Sequence, residues 1–386
     1  MKIISVYNRY TVHGGEDEVF RREAELLEAA GHTVLRHVAE NSELLKKGHG
    51  AAIGAMIWNR EAADAMTRQV RNSRADIVHV HNFFAALSPT ILTAAHAAGA
   101  AVVLTLHNFR LFCVNGMLLR NGKACERCVG LPVAVPGILH ACYRGSAAQS
   151  AAVAAMVAVH RLAGTWSHGV DRFVTLTENS RRIVTQGGLP AAKVVVKPNF
   201  VEDRHDPSGL DHPRHGAVIV GQMMAEKGIA LAAQAWLGLD YPVRFLGEGP
   251  LRATIGGEGH KTQEEVAQAM RQAAFLVVPS LWYETFGLVV IEAFSAALPV
   301  IASGHGALAD LIKDGETGLL FRPGDSADLA ANIRWAVANP QAMREMGRRA
   351  RETYERLYTP AANLPQLEAI YEAALIARSA AITGTL

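Results

Sequence analysis

The sequence lacks a long hydrophobic run and an export signal, and it has only four cysteines in 386 residues. No uninterrupted apolar stretch reaches the roughly 18 residues that a membrane-spanning helix requires. The first residues contain no cationic run followed by an apolar core and a small-residue cleavage site. We therefore expect a globular chain that stays in the cytoplasm and is not exported.

The chain also lacks a strong net charge, at +2, but its charges are unevenly distributed. Residues 1–200 carry 22 lysines and arginines against 14 acidic residues, whereas the remainder carries 16 against 22. The basic first half suits either an anionic surface, such as the inner face of a membrane, or a solvated helix face. Aromatic residues are not interleaved with the basic ones at a readable spacing, which argues against nucleic acid as a partner.

The chain is long enough for two domains, because 386 residues that are 50% hydrophobic exceed the usual size of one core. Short β-branched apolar runs alternate with helical patterns, which is typical of parallel βαβ units. This rhythm stops in a polar, proline-containing stretch at 198–215 and then restarts. We predict an α/β protein with two doubly wound Rossmann-like domains, 1–200 and 201–360, facing across a cleft. A final helical segment, 361–386, is predicted to pack back on the first domain.

Two glutamates, Glu284 and Glu292, lie eight positions apart around Phe286-Gly287. Eight helical residues rise about 12 Å, whereas carboxylates that act on one glycosidic bond lie about 5 to 9.5 Å apart. The spacing favours contacts with the two ends of one long ligand, with a helix N-terminus between them for phosphate. A nucleotide sugar has this shape.

This segment resembles the donor-site signature of retaining family-4 glycosyltransferases, in which two glutamates bracket a Phe-Gly turn. The resemblance implies the two-domain GT-B fold. It also implies that Glu284 contacts hydroxyls of the transferred sugar and that Glu292 contacts the ribose. The backbone N–H groups of Phe286, Gly287 and Leu288 would then meet sugar and diphosphate oxygens.

A second segment, VGQMMAEKG at 220–228, places Lys227 at the start of a predicted helix. A cation there can neutralise a departing diphosphate. The segment is similar to the family's strand, Gly-Arg loop and Lys-Gly ending, but Gln222 stands where the family has arginine. Glutamine keeps hydrogen-bond donors and loses the charge and the bidentate fork, which predicts a greater role for Lys227.

Two further positions in the first half match the family. Gly14-Gly15 precedes a predicted helix, as in the family's N-terminal loop, and glycine lets backbone approach a ligand closely. His107 is the last residue of a predicted strand, 101–107, at the place where family members have a histidine that hydrogen-bonds the donor sugar. His79 and His81, on another predicted strand, are interpreted as buried histidines of the core or cleft floor and not as metal ligands.

All four cysteines lie in one segment, a predicted insertion at 108–145, with the spacing C-x11-C-x2-C-x13-C. In a cytosolic chain this clustering argues against disulfides. Two alternatives stay open. The thiolates hold a structural zinc ion that fixes the insertion, or they are free or redox-linked thiols. The residues concerned are Cys113, Cys125, Cys128 and Cys142.

The resemblance implies a hexosyltransferase that takes a UDP- or GDP-linked sugar and transfers it with retention to a glycan or lipid-linked acceptor hydroxyl. The pathway implied is polysaccharide or glycolipid biosynthesis. His107, Lys227 and Glu284 would carry the chemistry, with no cofactor required for catalysis. Two other functions stay open: a nucleotide-sugar-binding paralogue without activity, which Gln222 favours, and a phosphorylase or epimerase on the same fold.

Overall fold

The computed structural model describes residues 1–9, 14–46, 49–204 and 213–383, without the side chains at 43, 45, 46, 49 and 381–383. It divides into two compact units. The first unit comprises Met1–Gly116, Glu126–Lys197 and Leu364–Leu386, and the second comprises Met117–Cys125 and Pro198–Asn363. Of the predicted linker at 198–215, residues 205–212 lie outside the described part of the chain.

Eight strands precede residue 200 in the described part of the chain. They are β1 (Lys2–Arg9), β2 (Thr33–Glu40), β3 (Ile77–Asn82), β4 (Ala101–Thr105), β5 (Leu119–Arg120), β6 (Lys123–Ala124), β7 (Arg172–Thr175) and β8 (Val194–Val196). Six of them form the sheet of the first unit in the order β2-β1-β3-β4-β7-β8, and every pairing in this sheet is parallel. The other two, β5 and β6, pair with each other in an antiparallel hairpin.

Three of the described helices in this part of the chain begin at a residue whose side chain caps them. The Asn59 side chain accepts from the Ala62 N–H at 3.1 Å, and Ser146 and Thr177 cap two other helices in the same way. The helices are α1 (Gly15–Ala29), α2 (Asn41–Lys46), α3 (His49–Ile57), α4 (Arg60–Ser73), α5 (Thr90–Ala97), α6 (Val135–Leu139), α7 (Ala147–Leu162), α8 (Thr165–His168) and α9 (Glu178–Gln186).

The second unit repeats the alternation of strand and helix. Its strands are β9 (Ala217–Val220), β10 (Val243–Leu246), β11 (Phe275–Val278), β12 (Val300–Ser303) and β13 (Gly318–Phe321). They pair in parallel in the order β10-β9-β11-β12-β13. The remaining helices are α10 (Ile229–Ala235), α11 (Arg252–Ile255), α12 (Gln263–Gln272), α13 (Leu288–Ser295), α14 (Gly306–Leu311), α15 (Ser326–Ala338), α16 (Pro340–Leu357) and α17 (Pro360–Thr383).

Helix α17 returns the chain to the first unit from Leu364 onward. Its buried residues Leu367, Tyr371 and Ala374 belong to the same core cluster as Ile3 and Val103 of the central strands. A second cluster contains the alternate residues of these strands together with α4, α5 and α7. The sheet is therefore covered on both faces, as parallel sheets require, and every residue of β3 and β4 is buried.

Each sheet has a point where its strand order reverses direction. In the first unit the chain proceeds outward from β1 on one side and from β3 on the other, and in the second unit β9 and β11 are the corresponding pair. Ligands of open α/β sheets bind beyond the carboxyl ends of strands at such points. The predicted fold class, two doubly wound Rossmann-like units, is confirmed by these topologies.

None of the helices in the described ranges is long and apolar enough to cross a bilayer.

Gly228, between Lys227 and α10, is a tightly packed glycine beside the second reversal point. Its φ is +71°, and a Cβ there would lie 1.9 Å from the carbonyl oxygen of Pro279, which follows β11. No larger residue fits without moving one of the two loops. Gly238 has a similar φ of +79° but nothing within 4 Å of a Cβ.

We expect Gly228→Ala to lower the free energy of unfolding of the second unit by about 3 kcal/mol, because overpacking adds to left-handed strain. Gly238→Ala should lower the free energy of unfolding by only about 1 kcal/mol, because it adds left-handed backbone strain without overpacking. Urea denaturation of both variants, followed by tryptophan fluorescence, measures the difference. Equal losses would show that the approach to Pro279 is not tight.

Candidate active site

The carboxylate of Glu284 lies just beyond β11 and is held by three donors. Its Oε1 accepts from Lys227 Nζ at 2.7 Å, from Ser280 Oγ at 2.7 Å and from Trp282 Nε1 at 2.9 Å. Glu284 is 8% exposed. Three donors to one carboxylate oxygen fix its orientation.

Lys227 closes a short 3₁₀ turn after β9 and is the cation of this pair. Its ammonium also lies 5.0 Å from the centroid of the Trp282 ring. The Lys227 side chain is 29% exposed and that of Glu284 is 10% exposed. The pair is therefore shielded on the glutamate side and accessible on the lysine side.

His305 lies on the other side of the same loop. Its Nε2 is 2.9 Å from the Ser280 carbonyl oxygen, and its ring lies edge-on to Tyr283 with centroids 5.3 Å apart. Burial lowers the pKa of His305, although the carbonyl and the Glu284 carboxylate oppose this. A largely neutral histidine thus supports the loop that carries Glu284.

Helix α13 begins at Leu288, with Gly287 at its N-cap in the left-handed region at φ +104°. Glu284 therefore precedes the helix and Glu292 lies within it. The assumption that all eight residues are helical is wrong, because the helix begins only at Leu288. The first N–H groups of α13 do lie in sequence between the two glutamates, where helix N–H groups lack intrahelical acceptors.

Gln222 and Phe286 occupy different environments in the second unit. Gln222 is exposed, in the loop that leaves β9. Phe286 is buried and packs edge-on against Tyr358, with ring centroids 6.1 Å apart. Its side chain is a core contact that anchors the start of α13, and only its backbone is available to a ligand.

In the first unit, His107 lies two residues beyond the end of β4, not within the strand as predicted. Its Nε2 is 3.2 Å from Nδ1 of His81, at the end of β3. Burial lowers the pKa of His107 to about 4, against the opposing effect of Glu23. His107 is therefore neutral at physiological pH. His79 and His81 are buried, as the sequence predicts.

Glu16, at the start of α1, belongs to a second set of polar side chains, which lies next to His107 in sequence and includes Asn108 and Arg110. Asn108 hydrogen-bonds its carboxyl, and the Arg110 guanidinium lies close enough to act on its charge. Its Oε2 is buried without a hydrogen-bond partner among the described residues. Burial raises the pKa of Glu16 to about 7, against both of these neighbours.

Gly14 is the N-cap of α1, and its N–H donates to Asp17 Oδ2 at 3.0 Å. Gly15 is the first residue of the helix, and both glycines are exposed. The structure thus places the predicted Gly-Gly pair at a helix N-terminus. Residues 10–13, which link it to β1, lie outside the described part of the chain.

The cysteines do not form a metal-ligand cluster within the described ranges. Among the described residues, the side chains of Glu23, His79 and His81 do have possible ligand atoms that all lie within 4.8 Å of one another. Cys113 is buried and donates to Asn115 Oδ1 at 2.9 Å, whereas the other three cysteines are partly buried.

The Glu23, His79 and His81 group has a ligand-like spacing but an unfavourable charge for a cation. Lys197 forms an ion pair with Glu23, so a divalent ion would adjoin a buried ammonium. Both ring nitrogens of His79 already bond hydroxyls, those of Tyr371 at 2.9 Å and Thr105 at 2.8 Å. The group is better explained as a hydrogen-bonded network than as a metal site.

Two protein-family models match this chain. A glycosyl transferase 4-like domain matches residues 14–199, and the glycosyl transferases group 1 domain matches residues 201–353. Together they cover most of the sequence. The chain belongs to the family-4 glycosyltransferases.

Curated relatives and solved structures of glycosyltransferases agree with this assignment. The D-rhamnosyltransferase WbpZ of Pseudomonas aeruginosa is 32% identical over 156 residues, 37% of this chain and 41% of that protein. The chain spans less than half the length of the curated relatives it matches. Sucrose-phosphate synthase of Thermosynechococcus elongatus has a TM-score of 0.71 at 17% identity, over 97% of this chain and 99% of that structure.

The structure of HepE from Anabaena in complex with UDP-glucose has a TM-score of 0.64 at 15% identity. The match covers 96% of this chain and 100% of that structure. At these identities the likeness shows the fold alone. It confirms the expected GT-B fold class.

Sequence reasoning missed the side chains that support this glycosyltransferase's predicted residues. Ser280 and Trp282 hold Glu284, and Glu23 and Lys197 form an ion pair beside His81. Two had a signal in the sequence, because Ser280 and Trp282 stand within four positions of Glu284. Glu23 and Lys197 had none, since 174 positions separate them.

The raised pKa of Glu16 predicts a pH-dependent stability. The folded state favours the protonated carboxyl, so its contribution is fully present below the unfolded-state pKa of 4.5 and is lost as the pH rises through about 7. Glutamine stays neutral at every pH. As the pH rises between these values, we therefore expect the free energy of unfolding of Glu16→Gln to increase by up to about 3 kcal/mol relative to that of the parent chain. Thermal unfolding of both chains from pH 4.5 to 8.5 measures this gain.

Glu28→Gln, on the exposed side of the same helix, is the matched control. Its stability relative to the parent chain should stay constant over the same range. A parallel pH course for Glu16→Gln and Glu28→Gln would contradict the assigned environment of Glu16.

Proposed function

We propose that this chain transfers a hexosyl group with retention of configuration from a UDP- or GDP-linked donor to a hydroxyl of a glycan or lipid-linked acceptor. The observation that carries the proposal is the triply held carboxylate of Glu284 beside Lys227, at the reversal point of the second sheet. Ligands of α/β sheets bind at such points. The structural neighbour HepE is described with UDP-glucose bound, which supports a nucleotide-sugar donor.

In this proposal Glu284 accepts hydrogen bonds from hydroxyls of the transferred sugar. Its orientation is set before the donor arrives, because three protein donors hold Oε1. A preorganised acceptor need not reorganise when the transition state forms. The same donors withdraw charge from the carboxylate, which makes it a poor nucleophile and supports a mechanism without a covalent glycosyl-enzyme.

Lys227 and the N-terminus of α13 would stabilise the diphosphate as it departs. The Lys227 side chain is partly exposed, so its ammonium can contact a phosphate oxygen while it remains near Glu284. The first N–H groups of α13, at Gly287 and Leu288, add a positive helix terminus. The leaving phosphate then accepts the proton of the attacking hydroxyl on the same face, as the family resemblance implies.

Glu292 is assigned to the ribose hydroxyls of the donor, and His107 with the Gly14-Gly15 turn to the sugar and acceptor side. Glu292 lies in α13 and is partly buried. His107 is neutral and hydrogen-bonds in either direction according to its tautomer. No cofactor is required for the transfer in this proposal.

A lipid-linked acceptor would place the chain at the inner face of a membrane. Helix α4 and its C-cap residue carry four exposed arginines that suit anionic headgroups. They are Arg60, Arg68, Arg71 and Arg74. The acceptor class is thus argued from charge and does not affect the donor assignment.

One observation favours a second function, a donor-binding protein without turnover. Gln222 stands where the family's loop has arginine, and Gln222 is exposed with no charge to offer a phosphate. If Lys227 alone does not stabilise the leaving group, donor binding remains and transfer is lost.

The experiment is donor turnover by the purified chain. We expect release of UDP or GDP from at least one nucleotide sugar in a panel, increased by glycan or membrane-lipid acceptors, with the anomeric configuration retained in the product. Lys227→Met should lower the turnover about 100-fold or more, because it removes a charge that acts on the transition state. Binding without release under every acceptor would favour the second function.

A binding measurement tests the donor assignment separately. Glu292→Ala should weaken nucleotide affinity about 10- to 100-fold, the loss expected for hydrogen bonds to a charged group. Glu316→Ala, at an exposed position of the same unit, is the control. Unchanged affinity in Glu292→Ala would refute the ribose contact.

Structural zinc at Cys113, Cys125, Cys128 and Cys142 stays a prediction. Bound zinc would draw the thiolates together around the ion, and structural zinc binds tightly enough to survive purification. We expect close to one zinc per chain in protein purified without chelator. A content below about 0.3 per chain would contradict the site.

A further inference from the structure

Six buried polar side chains meet at the carboxyl edge of the first sheet. They come from five segments that are distant in sequence, and each is at most 7% exposed. They are Glu23 on α1, His79 and His81 on β3, His107 after β4, Lys197 after β8 and Tyr371 on α17. Such a group is costly to bury, so its bonding pattern constrains the position of each proton.

The charge in this group belongs to one ion pair. Lys197 Nζ donates to Glu23 Oε1, and each side chain is only 2% exposed. Burial acts to raise the pKa of Glu23, but the Lys197 ammonium and the neighbouring histidines outweigh it and the pKa is lowered. Burial lowers the pKa of His79 and of His81 well below the usual range. The network therefore consists of a carboxylate, an ammonium and neutral imidazoles.

The second oxygen of Glu23 faces a ring nitrogen of His81. Oε2 and His81 Nε2 lie 3.6 Å apart, and both are buried without a hydrogen-bond partner among the described residues. Two arrangements are possible. Either Nε2 carries the proton and its N–H points at the carboxylate, or Nε2 carries a lone pair that repels it. The negative charge of Oε2 strongly favours the first.

This choice determines the proton position on His107. If Nε2 of His81 is protonated, then Nδ1 of the neutral ring is an acceptor. His107 Nε2, at 3.2 Å from that acceptor, must then donate. The remaining ring nitrogen of His107, Nδ1, consequently carries a lone pair.

We propose that Glu23 and His81 are positioning residues that fix His107 as its Nε2–H tautomer and so make His107 Nδ1 a hydrogen-bond acceptor. The second oxygen of the buried Glu23 carboxylate sets the tautomer of His81, and His81 sets that of His107. Lys197 keeps Glu23 ionised. On the proposed function, on which this consequence rests, His107 recognises a donor-sugar hydroxyl by accepting its hydrogen.

The tautomer is measurable without any substrate. In the full chain labelled with ¹⁵N-histidine, long-range ¹H–¹⁵N correlation distinguishes protonated from unprotonated ring nitrogens, and loss of signals in His107→Asn assigns the residue. We expect a protonated Nε2 and an unprotonated Nδ1 for His107 at neutral pH. A protonated Nδ1 in the parent chain would overturn the proposal whatever the variants do.

Glu23→Gln tests the direction of control. The amide oxygen of glutamine is held towards the Lys197 ammonium, so its NH₂ faces His81 and donates to Nε2. His81 Nδ1 then becomes the donor to His107 Nε2, and the two ring nitrogens of His107 exchange their chemical shifts. Tyr371→Phe removes a bond to His79 on the other side of the network and is the matched control, which should leave His107 unchanged.

An unchanged His107 tautomer in folded Glu23→Gln would contradict the proposal, as would an exchange in Tyr371→Phe. Turnover separates this inference from the proposed function. Exchanged shifts with at least a tenfold loss of transfer support both. Exchanged shifts with full transfer support the tautomer control and contradict the role of His107 in donor recognition.

Discussion

Parallel strand pairing places the carboxyl ends of all strands in a sheet at one edge, and both candidate sites depend on this constraint. In the second unit, Lys227 follows β9 and Glu284 follows β11, two neighbouring strands at the reversal of strand order. Fifty-seven positions separate the two residues in sequence, yet their charges meet at 2.7 Å. In the first unit the same constraint brings His81, at the end of β3, close to His107, just beyond β4.

Close backbone packing then determines how the strand ends approach each other. Gly228 lies against the Pro279 carbonyl, and this contact holds the loop with Lys227 beside the loop with Glu284. Gly287 takes a left-handed conformation that ends the irregular segment and starts α13. Glycine at these two positions is thus a requirement of the site geometry and not only of the fold.

The sequence predicted the parts of this structure that local patterns encode. The apolar runs of β3, β4, β9 and β11 are buried on both faces, and such runs are readable without tertiary information. The sequence placed a helix N-terminus between Glu284 and Glu292 but did not fix its residue, because Glu284 to Gly287 contains no strong break other than the glycine. The buried network around Glu23 was also not readable, since its members come from α1, β3, β8 and α17 and look like ordinary surface or core residues in isolation.

Each unit has a lysine–glutamate pair, and the two pairs differ in burial. We relate this difference to their roles: a buried pair supports neighbouring side chains, whereas an accessible pair can contact a ligand. Lys197 and Glu23 are each 2% exposed, so removing either partner leaves an uncompensated buried charge at a cost of about 3 to 5 kcal/mol. The side chains of Lys227 and Glu284 are 29% and 10% exposed. Near a protein surface, two opposite charges 4 Å apart attract each other by about 4 kcal/mol before the cost of desolvating them is subtracted.

In the proposed function, a diphosphate that approaches Lys227 brings more negative charge than Glu284 alone supplies. It can therefore share or replace the carboxylate as the partner of the ammonium, while Ser280 and Trp282 continue to hold Glu284. Lys197 has no such alternative, because solvent and ligands do not reach it. Exposure of the lysine, and not the presence of an ion pair, distinguishes the pair that can take part in transfer from the pair that fixes a neighbouring histidine.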